Sequence, residues 1–134
     1  MDNRFKFRAW NTDERVMRYD IENGYYDPDW TDAQGAHLDF NDIINNDEIF
    51  VIMQCTGLAD KTGKLIYEGD IVTCNDNPLK GVIEWHYREL HFQCGWNNKL
   101  GAGDIYYLVR DCELEVIGNI YENPELLKKV KDNE

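Results

Sequence analysis

The residue types best suited to metal binding or nucleophilic chemistry in this 134-residue chain are its four cysteines and three histidines. The cysteines lie 19, 20 and 18 residues apart, at Cys55, Cys74, Cys94 and Cys112, without the close pairs that zinc ribbons use. In a reducing compartment, isolated cysteines behave as small buried hydrophobes. The spacing therefore predicts four reduced thiols, no disulfide, no metal and no cofactor.

Two of the histidines, His86 and His91, are five residues apart. In a continuous strand that offset puts them on opposite faces, so they predict no metal site unless a turn separates them. Glu84 shares a strand face with His86, as a catalytic base and its orienting carboxylate would. The alternation with Ile83 and Trp85 favours an ordinary solvent-facing polar face. A hydrolase using Glu84 and His86 is therefore only an alternative hypothesis.

Other signatures of catalysis are missing from the sequence. The chain contains no serine, which excludes a serine nucleophile. Cys94 and His91, three residues apart, fall on opposite faces of a strand, and no third residue is placed to orient the histidine. Gly101 and Gly103 do not begin a dinucleotide-binding loop, because Tyr106 stands where the third glycine is needed. The sequence predicts a protein that is not an enzyme.

Charge is distributed unevenly along the chain, whose net charge is -12. No Lys or Arg occurs from Tyr19 to Asp60, which we call the acidic segment, and the rest of the chain is close to neutral. Ten acids lie in the segment: Asp20, Glu22, Asp27, Asp29, Asp32, Asp39, Asp42, Asp47, Glu48 and Asp60. Because phosphate binding depends on Lys and Arg, nucleic acid is an improbable partner, and a basic protein is a suitable one.

Aromatic residues accompany these acids, and exposed aromatic rings among charges are typical of recognition surfaces. We take Asp27, Asp29, Trp30 and Asp32 as the candidate partner-binding residues. The alternative is a solvated acidic loop whose rings pack against the fold. An EF-hand calcium loop starting at Asp27 is excluded, because its sixth position is Asp32 instead of Gly and its twelfth is Leu38 instead of Glu.

The periodicity predicts mostly strands. Residues 4–10 alternate apolar and basic side chains, which predicts a strand with one apolar and one basic face, and a turn over 11–15 leads to a returning strand over 16–21. A short helix is predicted over 39–46, with Phe40, Ile43 and Ile44 inward. Further strands are predicted over 49–55, 65–67, 71–74, 81–87, 91–96, 105–109 and 112–117.

The end of the chain predicts a helix over 123–131. Asn123 suits the N-cap, Pro124 the first helical position, and Glu125 the positive end of the helix dipole.

Several motifs resemble the YopX family of phage and prophage proteins: RFKFRAW at residues 4–10, MQCTGLADKTGKLIYEGDIV at 53–72 and EVIGNIYENPELL at 115–127. None of them is a catalytic signature. The resemblance implies a phage or prophage protein acting in the bacterial cytoplasm, and it implies no biochemical activity.

Together these patterns predict a mainly β fold, an SH3-like β-barrel with an N-terminal β-hairpin and a short C-terminal α-helix. We expect one domain over 1–134: the hairpin and acidic part over 1–48, the barrel over 49–122 and the helix over 123–131. No apolar run reaches the roughly 18 residues of a transmembrane helix, and the start lacks a signal-peptide core, so a soluble cytoplasmic protein is expected.

The predicted function is non-catalytic binding of a host or phage protein. The second hypothesis is a weak association with nucleic acid during phage replication or regulation. An unpaired edge strand would also allow a second copy to bind, so homo-oligomers fit the sequence.

Overall fold

The structure, a computed structural model, describes residues 2–27, 37–74, 80–86, 91–96, 103–104, 109–110 and 112–127. For His86, His91, Gly95, Trp96, Gly103 and Asp104 it describes the backbone alone. The fold is mainly β, as predicted. The chain divides into two compact units, Met1–Gln54 and Cys55–Glu134. Within the described ranges, no helix is long and apolar enough to cross a membrane.

The first unit is built on an antiparallel pair of strands. Strand β1 (Phe7–Asn11) pairs with β2 (Val16–Tyr19), and the turn between them has Arg15 at φ 59°. The unit continues through β3 (Tyr25–Tyr26), β4 (His37–Leu38) and helix α1 (Phe40–Ile44) to the first half of β5 (Phe50–Ala59), which pairs with β1. Strands β3 and β4 form their own two-stranded ribbon.

Strand β1 begins later than the sequence predicts. Residues Asn3–Phe5 form a 3-10 turn, because the Asp2 carboxylate accepts a hydrogen bond from the Arg4 backbone N–H at 2.8 Å. The basic face predicted for this strand is not fully exposed to solvent, because Arg8 on that face is only 1% exposed. Its Nη1 donates to the Tyr19 hydroxyl at 3.4 Å, and its guanidinium carbon lies 5.8 Å from the centre of that ring.

The core of the first unit collects apolar side chains from five separate places in the chain: Ala9, Ile21, Leu38, Ile43 and Phe50. Ile43 is the fully buried side chain that helix α1 contributes to this core. Its start is fixed by a capping box, in which Asp39 and Asp42 each accept a hydrogen bond from the other's backbone N–H. The prediction that Ile44 points inward is wrong. Ile44 is 42% exposed, because in a helix of little more than one turn the next residue is rotated by about 100°.

The second unit contains a five-stranded antiparallel sheet. After the second half of β5 come β6 (Leu65–Tyr67), β7 (Asp70–Cys74), β8 (Gly81–His86), β9 (His91–Trp96), β10 (Gly103–Asp104) and β11 (Leu114–Asn119). Strand order in the sheet is β10-β9-β8-β7-β11, and β6 pairs separately with β5. The predicted strands at 65–67 and 91–96 have these same bounds.

Residues of this sheet form the second core together with Ile66 of β6: Val72, Ile83, Phe92, Cys94, Leu114 and Val116. The strand predicted over 105–109 is wrong at its end, where Val109 and Arg110 are helical; residues 105–108 lie outside the described residues. Val109 packs partly buried against this core. An apolar residue at such a site does not distinguish a helical turn from a strand.

The C-terminal segment is helical at 125–127, and the remainder of the predicted helix lies outside the described residues. The Asn123 side chain does not act in the predicted direction. Its Oδ1 accepts a hydrogen bond from the Asn119 N–H at 3.1 Å, towards the preceding strand. The side chain packs so closely on Gly118 that a Cβ there would lie 2.6 Å from Oδ1. Asn123 therefore stabilises the turn after β11 through this hydrogen bond and this contact.

Candidate functional site

The motif residues 60–64, DKTGK, form a turn organised by one buried carboxylate. Asp60, 6% exposed, accepts through Oδ1 from the Thr62 N–H and hydroxyl and from the Lys64 N–H, at 2.7–3.0 Å. Oδ2 accepts from the Val116 N–H at 2.9 Å, which joins the turn to β11. Burial opposes the charged form, but these hydrogen bonds outweigh it and lower the pKa of Asp60. This motif therefore stabilises the sheet.

Two further motif residues have the same kind of role. Asp70, 2% exposed, accepts from the Tyr67 N–H at 2.7 Å and closes the β6–β7 turn, where Gly69 takes φ 88°. Asn119, 4% exposed, accepts through Oδ1 from the N–H groups of Tyr121 and Glu122. Buried side chains that accept hydrogen bonds from backbone N–H groups stabilise the fold. We therefore look for a binding surface among other residues.

The β3–β4 ribbon of the first unit has one buried and one exposed side. Tyr25 pairs with buried Leu38, and Tyr26 pairs with His37 on the other side. Tyr26 is 68% exposed, and His37 is exposed as well. We call Tyr26 and His37 the ribbon surface. It lies within the acidic segment and presents an aromatic ring directly to solvent.

The position of the ribbon depends on Gly24, which precedes β3. Its φ of 74° is in the left-handed region, and a Cβ would lie 2.6 Å from the Leu38 carbonyl oxygen. Strand β3 can approach β4 this closely only because residue 24 has no side chain.

On the buried side of the ribbon, Arg18 and Tyr25 form a cation–π contact. The guanidinium carbon lies 4.7 Å from the ring centre. Burial raises the pKa of the Tyr25 phenol; the charge of Arg18 opposes this rise, and the carboxylates of Asp27 and Glu14 add to it. The phenol is therefore held neutral, and the contact supports the ribbon from behind.

The acids of the segment are partly committed to the fold itself. Asp20, at φ 56°, pairs with Lys6 at 3.3 Å, and Glu22 accepts from the Phe7 N–H at 2.8 Å. Asp27, one of the predicted partner-binding residues, is only 3% exposed. The other three, Asp29, Trp30 and Asp32, lie outside the described residues. Sequence reasoning did not identify Tyr26 and His37 as the outward pair, because two-residue strands leave no periodic signal.

The two residues of the alternative catalytic pair, Glu84 and His86, belong to strand β8 of the second sheet. Glu84 is exposed, and its neighbour Ile83 points into the core at 1% exposure. Strand β8 is continuous over Glu84 and His86, so the predicted shared face is correct. A carboxylate that is open to solvent lacks the desolvated surroundings that activate catalytic acids and bases.

The two histidines of this region lie on two separate strands, an alternative that the sequence prediction left open. Because β8 ends at His86 and β9 begins at His91, the two are direct partners of an antiparallel pair, and Glu84 is the partner of Gln93 in the same register. Direct partners share one face of a sheet. The opposite-face relation expected for a continuous strand therefore does not apply, and the alternative left open by the sequence, a turn between His86 and His91, is the observed one.

Three of the four cysteines meet in the second core although they are far apart in sequence. Cys94 is fully buried there, with Cys74 and Cys112 packed against the same cluster. The Cys74 thiol donates to the Cys112 carbonyl oxygen at 3.0 Å. Burial raises the pKa of Cys74 to about 11 and that of Cys94 to about 12. Both thiols are held protonated at neutral pH, in keeping with the role of small hydrophobes.

The sequence of the chain matches a known protein family. A family model described as YopX protein matches residues 6–128. The chain belongs to the YopX family. Protein EF1440 from Enterococcus faecalis has a similar crystal structure, with 32% identity, a TM-score of 0.59, and coverage of 91% of this chain and 96% of that one.

Protein YopX from Bacillus subtilis is also similar, with 24% identity, a TM-score of 0.53, and coverage of 92% of this chain and 98% of that one. At that identity the likeness shows the fold alone. No curated protein matches the chain. The turns centred on Asp60, Asp70 and Asn119 lie inside the span that the YopX model matches.

Proposed function

We propose that this YopX-family chain is a non-catalytic protein-binding module whose ribbon surface contacts a basic protein. The observation that carries the proposal is Tyr26, whose ring is 68% exposed in a segment without a single Lys or Arg. A large ring that loses its water on binding can supply much of an interface's affinity. The surrounding negative charge would steer a cationic partner towards it.

The ribbon is suited to binding because contacts on its buried side hold its two strands in place. Leu38 is fully buried in the first core, and Arg18 contacts the Tyr25 ring from behind. A surface that is already ordered loses less conformational entropy when a partner binds. Exposed Asp39 directly follows β4 in sequence and adds negative charge near the ribbon.

The wider setting is part of the same proposal. We place the chain in a phage or prophage programme in bacterial cytoplasm, with a host or phage protein as the partner, and we take its second sheet as SH3-like. The match to the YopX family and the 32% identity to a protein from the bacterium Enterococcus faecalis support this setting. The net charge of -12 favours a basic protein over nucleic acid.

The test is affinity capture from host lysate with and without phage infection, followed by binding measurements on the captured protein. We expect Tyr26→Ala to weaken binding mainly through faster dissociation. Phe5→Ala is the matched control, because Phe5 is a comparably exposed ring, 60%, outside the acidic segment. Equal binding by the wild type and Tyr26→Ala, or capture of nucleic acid alone, would contradict the proposal.

A further inference from the structure

The pairing of β7 with β11 brings two thiols close together. Cys74 ends β7 and is the register partner of Leu114 in β11, and Cys112 lies two residues before that partner. The Cys74 thiol donates to the Cys112 carbonyl oxygen at 3.0 Å. We propose that Cys74 and Cys112 are a redox modification site, at which a low-molecular-weight disulfide oxidises the pair to a reversible bond that joins β7 to the chain entering β11.

The backbone just before β11 brings Cys112 near enough for this bond. Diagonal neighbours in a regular antiparallel pair are about 7–8 Å apart, which is too far for a disulfide. Glu113 interrupts the regular strand, because its φ of 49° is in the left-handed region. A carbonyl oxygen lies about 2.4 Å from its own Cα, so the Cys74 sulfur is no more than about 5.4 Å from the Cys112 Cα. From there, rotation of the two side chains can bring the sulfurs to bonding distance.

The surroundings of the two thiols favour a slow, selective oxidation. Both side chains pack partly buried against the second core. Burial, and after it the neighbouring Cys112 side chain, raises the pKa of Cys74 to about 11, so the reduced pair is the resting state at neutral pH. Among the described residues, no three His, Cys, Asp or Glu side chains are grouped to hold a metal. Two adjacent thiols without a third ligand are suited to a disulfide.

The strand order keeps the other two cysteines out of this pair. Cys94 lies in β9, and β8 separates that strand from β7. Strands that are two positions apart in a sheet are separated by about 9–10 Å, which a disulfide cannot span. Cys55 lies in β5, outside this sheet and outside the second core. The structure therefore selects Cys112 as the partner of Cys74.

Oxidised glutathione is a sufficient oxidant for the reaction. The thiolate of one cysteine attacks a glutathione sulfur, which forms a mixed disulfide and releases one reduced glutathione. The thiolate of the other cysteine then attacks the protein-bound sulfur, which forms the Cys74–Cys112 bond and releases a second reduced glutathione. The two thiol protons pass to the two glutathione thiolates, and the cysteine pair loses two electrons.

The first experiment is incubation of the folded, reduced protein with oxidised glutathione, followed by peptide mapping without reduction. Cleavage after Lys and Arg places each cysteine in its own peptide: 19–61, 65–80, 89–99 and 111–128. We expect one bond, between 65–80 and 111–128, and dithiothreitol should reverse it. No bond, a bond to either of the other peptides, or glutathione adducts as the only product would overturn the proposal.

Variants and stability test the pair a second way. Cys74→Ala and Cys112→Ala should each abolish the bond, and Cys94→Ala, which removes another thiol of the same core, is the matched control that should retain it. Circular dichroism checks folding, and Cys55→Ala replaces this control where Cys94→Ala is unfolded. The oxidised wild type should unfold at a higher urea concentration than the reduced protein, because the bond spans 38 positions of sequence. An oxidised protein no more stable than the reduced one would show that the native geometry does not admit this bond.

Discussion

At the residue scale, the buried carboxylate of Asp60 stabilises the fold by accepting hydrogen bonds from the 60–64 turn and from β11. Asp60→Asn removes one acceptor oxygen from a cluster of four hydrogen bonds, so we expect a loss of about 1–3 kcal/mol in unfolding free energy. Because the folded-state pKa of Asp60 is lowered, its charge adds stability above the unfolded pKa of about 3.9, and that stability is lost as pH falls through the folded pKa. Urea unfolding at pH 7 and below pH 4 measures both effects.

The control is Asp47→Asn at an exposed position, which should change stability by less than about 0.5 kcal/mol. If both variants unfold at the same urea concentration, the Asp60 cluster is not a major source of stability.

The buried thiols give a second prediction at this scale. In the folded protein at pH 8, Cys74 and Cys94 should react slowly with iodoacetamide, because their raised pKa values of about 11 and about 12 leave little thiolate. In denaturant all four cysteines should react. Peptide mapping by mass spectrometry measures each site, and rapid labelling of Cys94 in the folded state would refute the prediction.

At the scale of elements, the ribbon tests how a glycine positions two strands. Gly24→Ala should destabilise the first unit by more than the roughly 1 kcal/mol of dihedral strain, because the new Cβ would also meet the Leu38 carbonyl oxygen at 2.6 Å. Gly63→Ala is the matched control: its φ is 93°, but a Cβ there has nothing within 4 Å. Thermal unfolding should separate the two, and equal costs would mean that β3 moves away freely.

The sequence predicts elements that are bounded by turn or capping residues well, and it predicts contacts between distant parts of the chain poorly. Strands β6 and β9 follow from apolar runs between turn residues, and the Asp39 cap agrees with the predicted helix start. The direct pairing of His86 with His91 depends on the register of β8 against β9, which the residue spacing cannot reveal. Likewise the grouping of Cys74, Cys94 and Cys112 comes from sheet order. The sequence and the structure both direct the binding hypothesis to the acidic segment, but the outward residues Tyr26 and His37 follow only from the β3–β4 register.

For Asn123 the sequence predicts the right residue and the wrong partner. Asn123→Ala should cost about 1–3 kcal/mol by leaving the Asn119 N–H without its acceptor. Asn123→Asp keeps an acceptor oxygen and should recover most of that loss. Denaturation midpoints measure this, and equal destabilisation by both substitutions would argue against the hydrogen bond.

For the whole molecule, the charge of -12 and the isoelectric point near 4.5 predict weak or no binding to nucleic acid. Fluorescence anisotropy with labelled DNA and RNA should show no saturable binding at 150 mM salt, and little gain at low salt. A binding constant that rises steeply as salt is removed would instead indicate a basic patch, and would favour the nucleic-acid hypothesis.

The hydrogen bond from the Val116 N–H to Asp60 spans 56 positions of sequence and is buried. Such an amide cannot meet solvent through fraying of one hairpin, because both the 60–64 turn and β11 must separate first. Its proton should therefore exchange with deuterium only when the second unit unfolds completely. Val116 would then report the global stability of that unit at a single position, while an amide such as that of Asp13, whose N–H donates to Oδ1 of Asn11 two residues away, should exchange through local opening.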